Sequence, residues 1–133
     1  MQSLGIPCLY GVDSIHGATY VRGATFFPQQ INLAATFDCG VAAASAECCA
    51  REMRFCGLPW NFSPVLDLGR MPLWPRFWET FGKDPYLVSR MGCALVGGYQ
   101  GDDRERLPGT RVAACLKHFV GYGSPASGKD RTP

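Results

Sequence analysis

The sequence predicts a parallel α/β fold. Three short apolar runs alternate with two segments of helical period, and each run ends in charged or polar residues, where a strand would emerge into a loop. With 133 residues, 47% hydrophobic and 18% charged, the chain falls in the ordinary globular range and suits one domain, residues 1–133.

The first run, Ile6-Pro7-Cys8-Leu9-Tyr10-Gly11-Val12-Asp13, reads as a buried strand with Asp13 at its carboxyl end. The stretch from there to Ala35 is rich in Gly, aromatics and amides, without a sustained period, and is expected to be an ordered loop with one short element. From Asp38 to Phe55 an Ala-rich segment carries Val41, Ser45, Cys48, Glu52 and Phe55 at helical spacing, and Gly57 and Pro59 stop it. Trp60 to Asp67 reads as a second strand, followed by a loop dense in aromatics and arginines: Arg70, Trp74, Arg76 and Trp78. Asp84-Pro85 opens a second helix, because an N-cap carboxylate accepts from the free amides of the first turn and proline fits that turn without losing a hydrogen bond. This helix keeps Leu87, Met91, Leu95 and Tyr99 on one face and stops at Gly101. Arg111 to Val120 reads as a third strand running into Lys117-His118, and the tail from Gly121 to Pro133 is Gly, Ser and Pro without an apolar period.

Composition excludes several functions. The net charge of +2 comes from 13 basic and 11 acidic residues mixed along the chain, without the basic cluster that a phosphate backbone requires, so nucleic acid is not an expected partner. Gly, Pro or charge breaks every apolar run well short of the roughly 20 residues that cross a bilayer, and no membrane association is expected. Met1-Gln2-Ser3-Leu4 leads into Gly5-Ile6-Pro7 without a basic-then-apolar signal pattern, which leaves the compartment open. The 7 cysteines show neither paired C-x-x-C spacing nor histidines in ligand spacing, so no metal and no cofactor are expected, and most of the thiols, set among Ala, Val and Leu, read as reduced, small apolar side chains of the core. Two motif-like stretches are discounted. Gly123-Ser124-Pro125-Ala126-Ser127-Gly128-Lys129 has the spacing of a phosphate loop, but Asp130 stands at the Ser/Thr position and would repel phosphate. Asn61-Phe62-Ser63 fits the glycosylation sequon but falls inside a strand segment.

Gly11-Val12-Asp13-Ser14-Ile15-His16-Gly17, the stretch Leu73-Trp74-Pro75-Arg76-Phe77-Trp78-Glu79-Thr80-Phe81-Gly82-Lys83-Asp84-Pro85, and Lys117-His118-Phe119-Val120-Gly121 follow one another at strand ends. In that order and placement the chain, from about Leu4 onward, resembles the family 3 glycoside hydrolases. The resemblance implies a partial (β/α)8 TIM-type barrel of about three βα units, not closed on its own, since eight units need roughly 250 residues. It also implies a retaining, exo-acting β-glycosidase that holds a terminal sugar in a pocket.

Carried over residue by residue, Asp13 matches the pocket aspartate, whose carboxylate accepts two ring hydroxyls at once. Arg76 matches the arginine that follows Trp-Gly in many members, with Pro75 here in place of that glycine, and Glu79 is expected to support it. Lys117 and His118 match the family's Lys-His pair, adjacent donors that reach hydroxyls of one ring. Asp13, Arg76, Lys117 and His118 are thus the expected substrate-binding residues and should converge on one concavity, with Glu79 and Asp130 at its rim or behind it. His16 is expected to be structural, bonded to nearby backbone, and Trp74 and Trp78 suit packing at least as well as sugar stacking.

The family's nucleophile sits on a later strand, and no unassigned aspartate follows Lys117-His118 at a strand end, so both nucleophile and acid/base are expected beyond Pro133. The Asp-x-His pair of the N-acetylglucosaminide branch is absent from the tail, which favours the β-glucosidase or β-xylosidase branch, whose acid/base comes from a second domain. The expected partners are a β-linked glucoside or related carbohydrate, the remainder of the barrel and that second domain. Of these activities β-glucosidase is the first expectation; the alternatives are a sugar-binding remnant without catalysis and the β-xylosidase or β-N-acetylhexosaminidase branch of the same family.

Overall fold

The computed structural model describes residues 5–103 and 105–132. Its elements run β1 (Gly11–Val12), α1 (Gln30–Ala34), α2 (Cys39–Phe55), β2 (Trp60–Asn61), a single 3₁₀ turn (Phe77–Glu79), α3 (Pro85–Gln100) and β3 (Ala113–Ala114). The three strands form one sheet in the order β1-β2-β3, and both pairings are parallel. Consecutive strands are neighbours, each reached through a crossover that contains a long helix, which is the connectivity of a barrel segment.

The strands are shorter than the apolar runs imply. Ile6, Leu9 and Tyr10 are 83, 65 and 59% exposed and precede β1 as irregular chain. A ladder forms only where a neighbour offers paired backbone groups; β2 begins at Trp60, just after the turn that ends α2, and no strand lies on the other side of β1 among the described residues. The other two runs fare better than their two-residue ladders suggest. Cys115 N donates to Ser63 O at 3.0 Å, Lys117 N to Pro64 O at 3.1 Å and Leu66 N to Lys117 O at 2.6 Å, so pairing continues past β2 and β3. It continues with a slip: Asn61 pairs with Ala114 and Val65 with Lys117, four steps against three. The extra residue makes a bulge between Asn61 and Val65, a device that breaks the regular ladder and re-aims the side chains after it.

Both long helices begin at aspartate caps. Asp38 accepts from Gly40 N at 2.7 Å and Val41 N at 3.2 Å, and Asp84 accepts from Tyr86 N and Leu87 N at the same two distances; each cap is worth about 1 kcal/mol. For α3 the expected face holds, with Met91, Leu95 and Tyr99 buried and Val88 beside them, while Leu87 is only partly covered. For α2 the spacing gives the helix but not its inward face: Val41 and Phe55 are exposed, Ser45, Cys48 and Glu52 are half-buried, and the buried stripe is Ala42, Ala46, Cys49, Ala50 and Met53. The reason is the proximity of α3: a Cβ built on Gly98 would lie 2.4 Å from Ala43 O and 2.6 Å from Ala46 Cβ, so only small side chains fit where the helices touch. Around Ala43 and Ala46, where α3 comes nearest, α2 therefore carries alanines, and helix period alone does not reveal which stripe faces in.

The core joins these helix faces to Ala18, Ala34, Phe81 and Val112. Of the cysteines, all free, Cys49 is buried, and its thiol is pushed up to about 12 by burial, which keeps it an inert thiol. Cys8, Cys56 and Cys93 are exposed, contrary to the reading of most thiols as core residues, because they lie before β1, at the end of α2 and on the outer face of α3. No described helix is long and apolar enough to cross a membrane.

Candidate functional site

The loops that leave the carboxyl ends of the strands surround an open cavity of about 970 Å³. Asp13, Arg76, Lys117 and His118 all line it, together with Glu79, Tyr122 and Asp130. Four residues spread over more than a hundred positions thus meet at one place, because parallel strands put all their carboxyl ends on the same side of the sheet.

Asp13 follows β1 directly, and its Oδ1 accepts from Lys117 Nζ across the width of the sheet. The lysine side chain is 12% exposed and the aspartate 45%, so the cation is the enclosed partner and the carboxylate the one turned towards the cavity. The backbone beside Asp13 is clasped: Ser14 N donates to Asn61 Oδ1 at 3.0 Å and Asn61 Nδ2 to Ser14 O at 3.1 Å. Both ends of a wholly buried amide are used, which fixes the point where β1 turns into the loop and removes the sequon Asn61-Phe62-Ser63 from solvent.

Arg76 precedes the 3₁₀ turn and grips Glu79 in a fork, Nε to Oε1 at 3.0 Å and an Nη to Oε2 at 2.7 Å. This paired hydrogen bond holds the guanidinium further above its already high pKa, so it stays charged. Gln30, buried on α1, donates from Nε2 to the Glu79 carbonyl and braces the turn from behind. The guanidinium carbon also stands 5.7 Å from the centre of the Tyr122 ring. Tyr122 OH donates to Asp130 Oδ1 at 2.5 Å, and Trp74 Nε1 donates to the same oxygen at 3.1 Å. These bonds, the tyrosine first, hold the Asp130 carboxyl below its ordinary pKa. Asp130 is therefore a fastener of the 121–132 loop, and Glu79 a partner of Arg76, both at the cavity wall.

His118 is held by a residue that the sequence reading passed over. Asp67, at the end of the second extended segment, has a side chain 1% exposed. Its Oδ2 accepts from His118 Nδ1 at 2.6 Å and from His118 N at 3.1 Å, and its Oδ1 from Gly123 N at 3.2 Å. The signal for Asp67 was present, a carboxylate closing an apolar run as Asp13 does, but no motif marked it. Tyr122 was missed for the opposite reason, since it stands in a tail without period and touches Arg76, Trp74 and His118 only in three dimensions.

The other expectations divide. His16 donates from Nδ1 to Phe27 O at 2.9 Å and meets Gln29 Nε2 at 3.2 Å, a structural position. Trp74 is buried against Tyr122, while Trp78 is 60% exposed beside Phe77. The phosphate-loop spacing lies in turns after which no helix is formed among the described residues. A second cavity of about 500 Å³ opens between α2, α3 and the 15–36 loop, lined by Phe27, Leu33, Cys49 and Leu95 among others, without a carboxylate, Lys or Arg in its wall. Its wall includes His16, Gln30 and Asn32 but is mostly apolar and carries no charged group, which suits a polyhydroxylated ring less well than the first cavity.

The model of the family described as glycosyl hydrolase family 3 N terminal domain matches residues 1–133. A lysosomal beta glucosidase of Dictyostelium discoideum is 46% identical over 130 residues, covering 96% of this chain and 16% of its own length. A beta-xylosidase of Formosa agariphila is 37% identical over 126 residues, with 91% and 17% covered. Among solved structures, a beta-glucosidase involved in saponin metabolism from intestinal bacteria superposes with a TM-score of 0.95 at 41% identity, covering 98% of this chain and 17% of that one. A mutant beta-glucosidase from Listeria innocua in complex with laminaribiose superposes with a TM-score of 0.87 at the same identity and coverage. The chain thus spans about one sixth of the length of the relatives it matches.

Proposed function

Because this chain belongs to the glycosyl hydrolase family 3 N-terminal domain, we propose that its cavity holds the terminal sugar of a β-glucoside for hydrolysis by the enzyme of which it is part. The observation that carries the reading is the convergence of Asp13, Arg76, Lys117 and His118 on one cavity. A pyranose presents hydroxyls around its rim, each a donor and an acceptor. A carboxylate to accept, an ammonium and a guanidinium to donate, and an imidazole edge make a matching set.

The reacting carboxyl groups come from elsewhere in this reading. A retaining mechanism needs two carboxyls about 5–5.5 Å apart across the scissile bond. Each carboxylate in the cavity wall is already engaged, Asp13 with Lys117, Glu79 with Arg76 and Asp130 with Tyr122. The proposed nucleophile and acid/base lie outside residues 1–133. The same larger protein would cover the apolar residues exposed at the two sides of the sheet, Ile6 and Leu9 before β1 and Phe119 and Val120 after β3.

The similarity to a beta-xylosidase favours a second reading, β-xyloside hydrolysis at the same site. Xylose lacks the C6 hydroxymethyl group, so the two sugars differ by one hydroxyl and its contacts. The test is to assay the parent enzyme with aryl β-glucoside and aryl β-xyloside and to follow the anomeric configuration of the product by NMR. The expected result is hydrolysis of both with net retention and a higher kcat/KM for the glucoside. A preference for the xyloside selects the second reading, and sugar binding without turnover of either selects the remnant.

A further inference from the structure

The His118 ring is fixed from two sides, and we infer from that geometry that Asp67 is a positioning residue, setting the tautomer and aim of His118 so that Nε2 meets the substrate as a hydrogen-bond acceptor. The inference rests on the proposed reading of His118 as a sugar-contacting residue.

The Asp67 side chain is all but wholly buried, and both of its oxygens are taken by donors from the Lys-His turn and the loop after it. A carboxylate is acceptor-only, so the bond of 2.6 Å to Nδ1 requires the proton to sit on Nδ1. In the neutral form of the ring that proton leaves the lone pair on Nε2, at the opposite edge. His118 lines the cavity, and Nε2 has no hydrogen-bond partner among the described residues. On its other side the ring meets Tyr122, centroid to centroid 4.6 Å with the planes at 63°, which resists rotation away from Asp67. Gly123 completes the clamp. A Cβ there would lie 2.9 Å from Asp67 Cβ and 3.0 Å from Leu68 O, so the loop reaches the carboxylate only with glycine at this position.

The consequence is a division of labour around the ring. Lys117 Nζ and Arg76 donate to hydroxyl oxygens, and Asp13 and His118 Nε2 accept from hydroxyl hydrogens, so His118 departs from the pair of adjacent donors that the resemblance implies, because its Nδ1 proton is engaged by Asp67. An asparagine at 67 offers an amide N–H as readily as an oxygen, which allows the ring to hold its proton on Nε2 and present a donor where an acceptor is required.

Two measurements on the parent enzyme test this. The first is a double-mutant cycle with an aryl β-glucoside. Asp67→Asn is expected to lower kcat/KM by about 10- to 100-fold, the loss of one well-placed bond in a polar site, and by less than about threefold in a His118→Ala background. Equal losses in both backgrounds would mean that Asp67 supports the fold alone and would overturn the inference. The second does not depend on the Asp67 variant folding. In enzyme carrying ¹⁵N-histidine, at a pH where the ring is neutral, the two-bond ¹H–¹⁵N pattern of His118, assigned by its loss in His118→Gln, is expected to show the proton on Nδ1. A proton on Nε2 contradicts the inference whatever the kinetics. A His118→Ala enzyme of unchanged kcat/KM would instead overturn the sugar-contact reading, and the spectrum would still decide whether Asp67 sets the ring.

Discussion

Replacing Asp13 by Ala in the parent enzyme is expected to lower kcat/KM on an aryl β-glucoside by about 10²- to 10⁴-fold. In the proposed pocket the variant loses two hydrogen bonds to ring hydroxyls, each charge-assisted and worth about 1.5–3 kcal/mol, and about 1.4 kcal/mol corresponds to tenfold in rate. The variant also leaves the Lys117 ammonium, whose side chain is 12% exposed, without its anionic partner. That second loss displaces another sugar-facing donor, so the effect should sit in the upper part of the range. Catalysis should suffer more than binding. Hydroxyl contacts tighten as the ring flattens towards an oxocarbenium-like transition state, so kcat falls as well as KM rising. Steady-state kinetics on the wild type, Asp13→Ala and Asp13→Asn decide it, the asparagine retaining one acceptor and falling between. An unchanged kcat/KM removes Asp13 from the pocket.

The largest effect on stability is expected at the α2–α3 contact, with opposite signs at adjacent residues. Gly98→Leu should destabilise the domain, and even Gly98→Ala should be unfavourable on balance. Alanine gains about 1 kcal/mol of helix propensity over glycine, but overpacking costs about 1–3 kcal/mol. The obstacles at Gly98 are a backbone carbonyl at 2.4 Å and a methyl at 2.6 Å, neither of which can rotate aside. Gly97 meets nothing within 4 Å, so Gly97→Ala keeps the propensity gain and should stabilise. Thermal unfolding of the three variants checks the contrast. A Gly98→Ala protein as stable as Gly97→Ala would mean that the helices can part without cost, and that small residues on α2 are not what seats α3.

Much of the candidate site's geometry was legible because its residues sit at strand ends within recognisable strings. Asp13 closes an apolar run, Arg76 lies in an aromatic stretch and Lys117-His118 ends the third run, so chain order was enough to bring them to one side of a parallel sheet. The helix caps were equally plain, since Asp38 and Asp84 announce their own hydrogen bonds. Three things were not legible. The inward stripe of α2 depends on how near α3 comes, a distance set by Gly98, and apolar spacing on one helix does not encode it. The lengths of the strands depend on which neighbours are present to pair with them, and on a bulge between Asn61 and Val65 that shifts register by one. The supports of the site, Asp67, Asn61 and Tyr122, act through contacts 47 to 56 residues apart or through ring faces, and a linear reading has no period with which to find them.

A crystal structure of the parent enzyme with glucose bound would show whether Asp13, Arg76, Lys117 and His118 hold one sugar ring. The ring is expected in the cavity of about 970 Å³, with Asp13 accepting two of its hydroxyls, Lys117 and Arg76 donating, and His118 Nε2 within hydrogen-bond distance of a third. A glucose seated elsewhere in the protein, with Asp13 still bonded to Lys117 alone and His118 Nε2 facing only solvent, would contradict it.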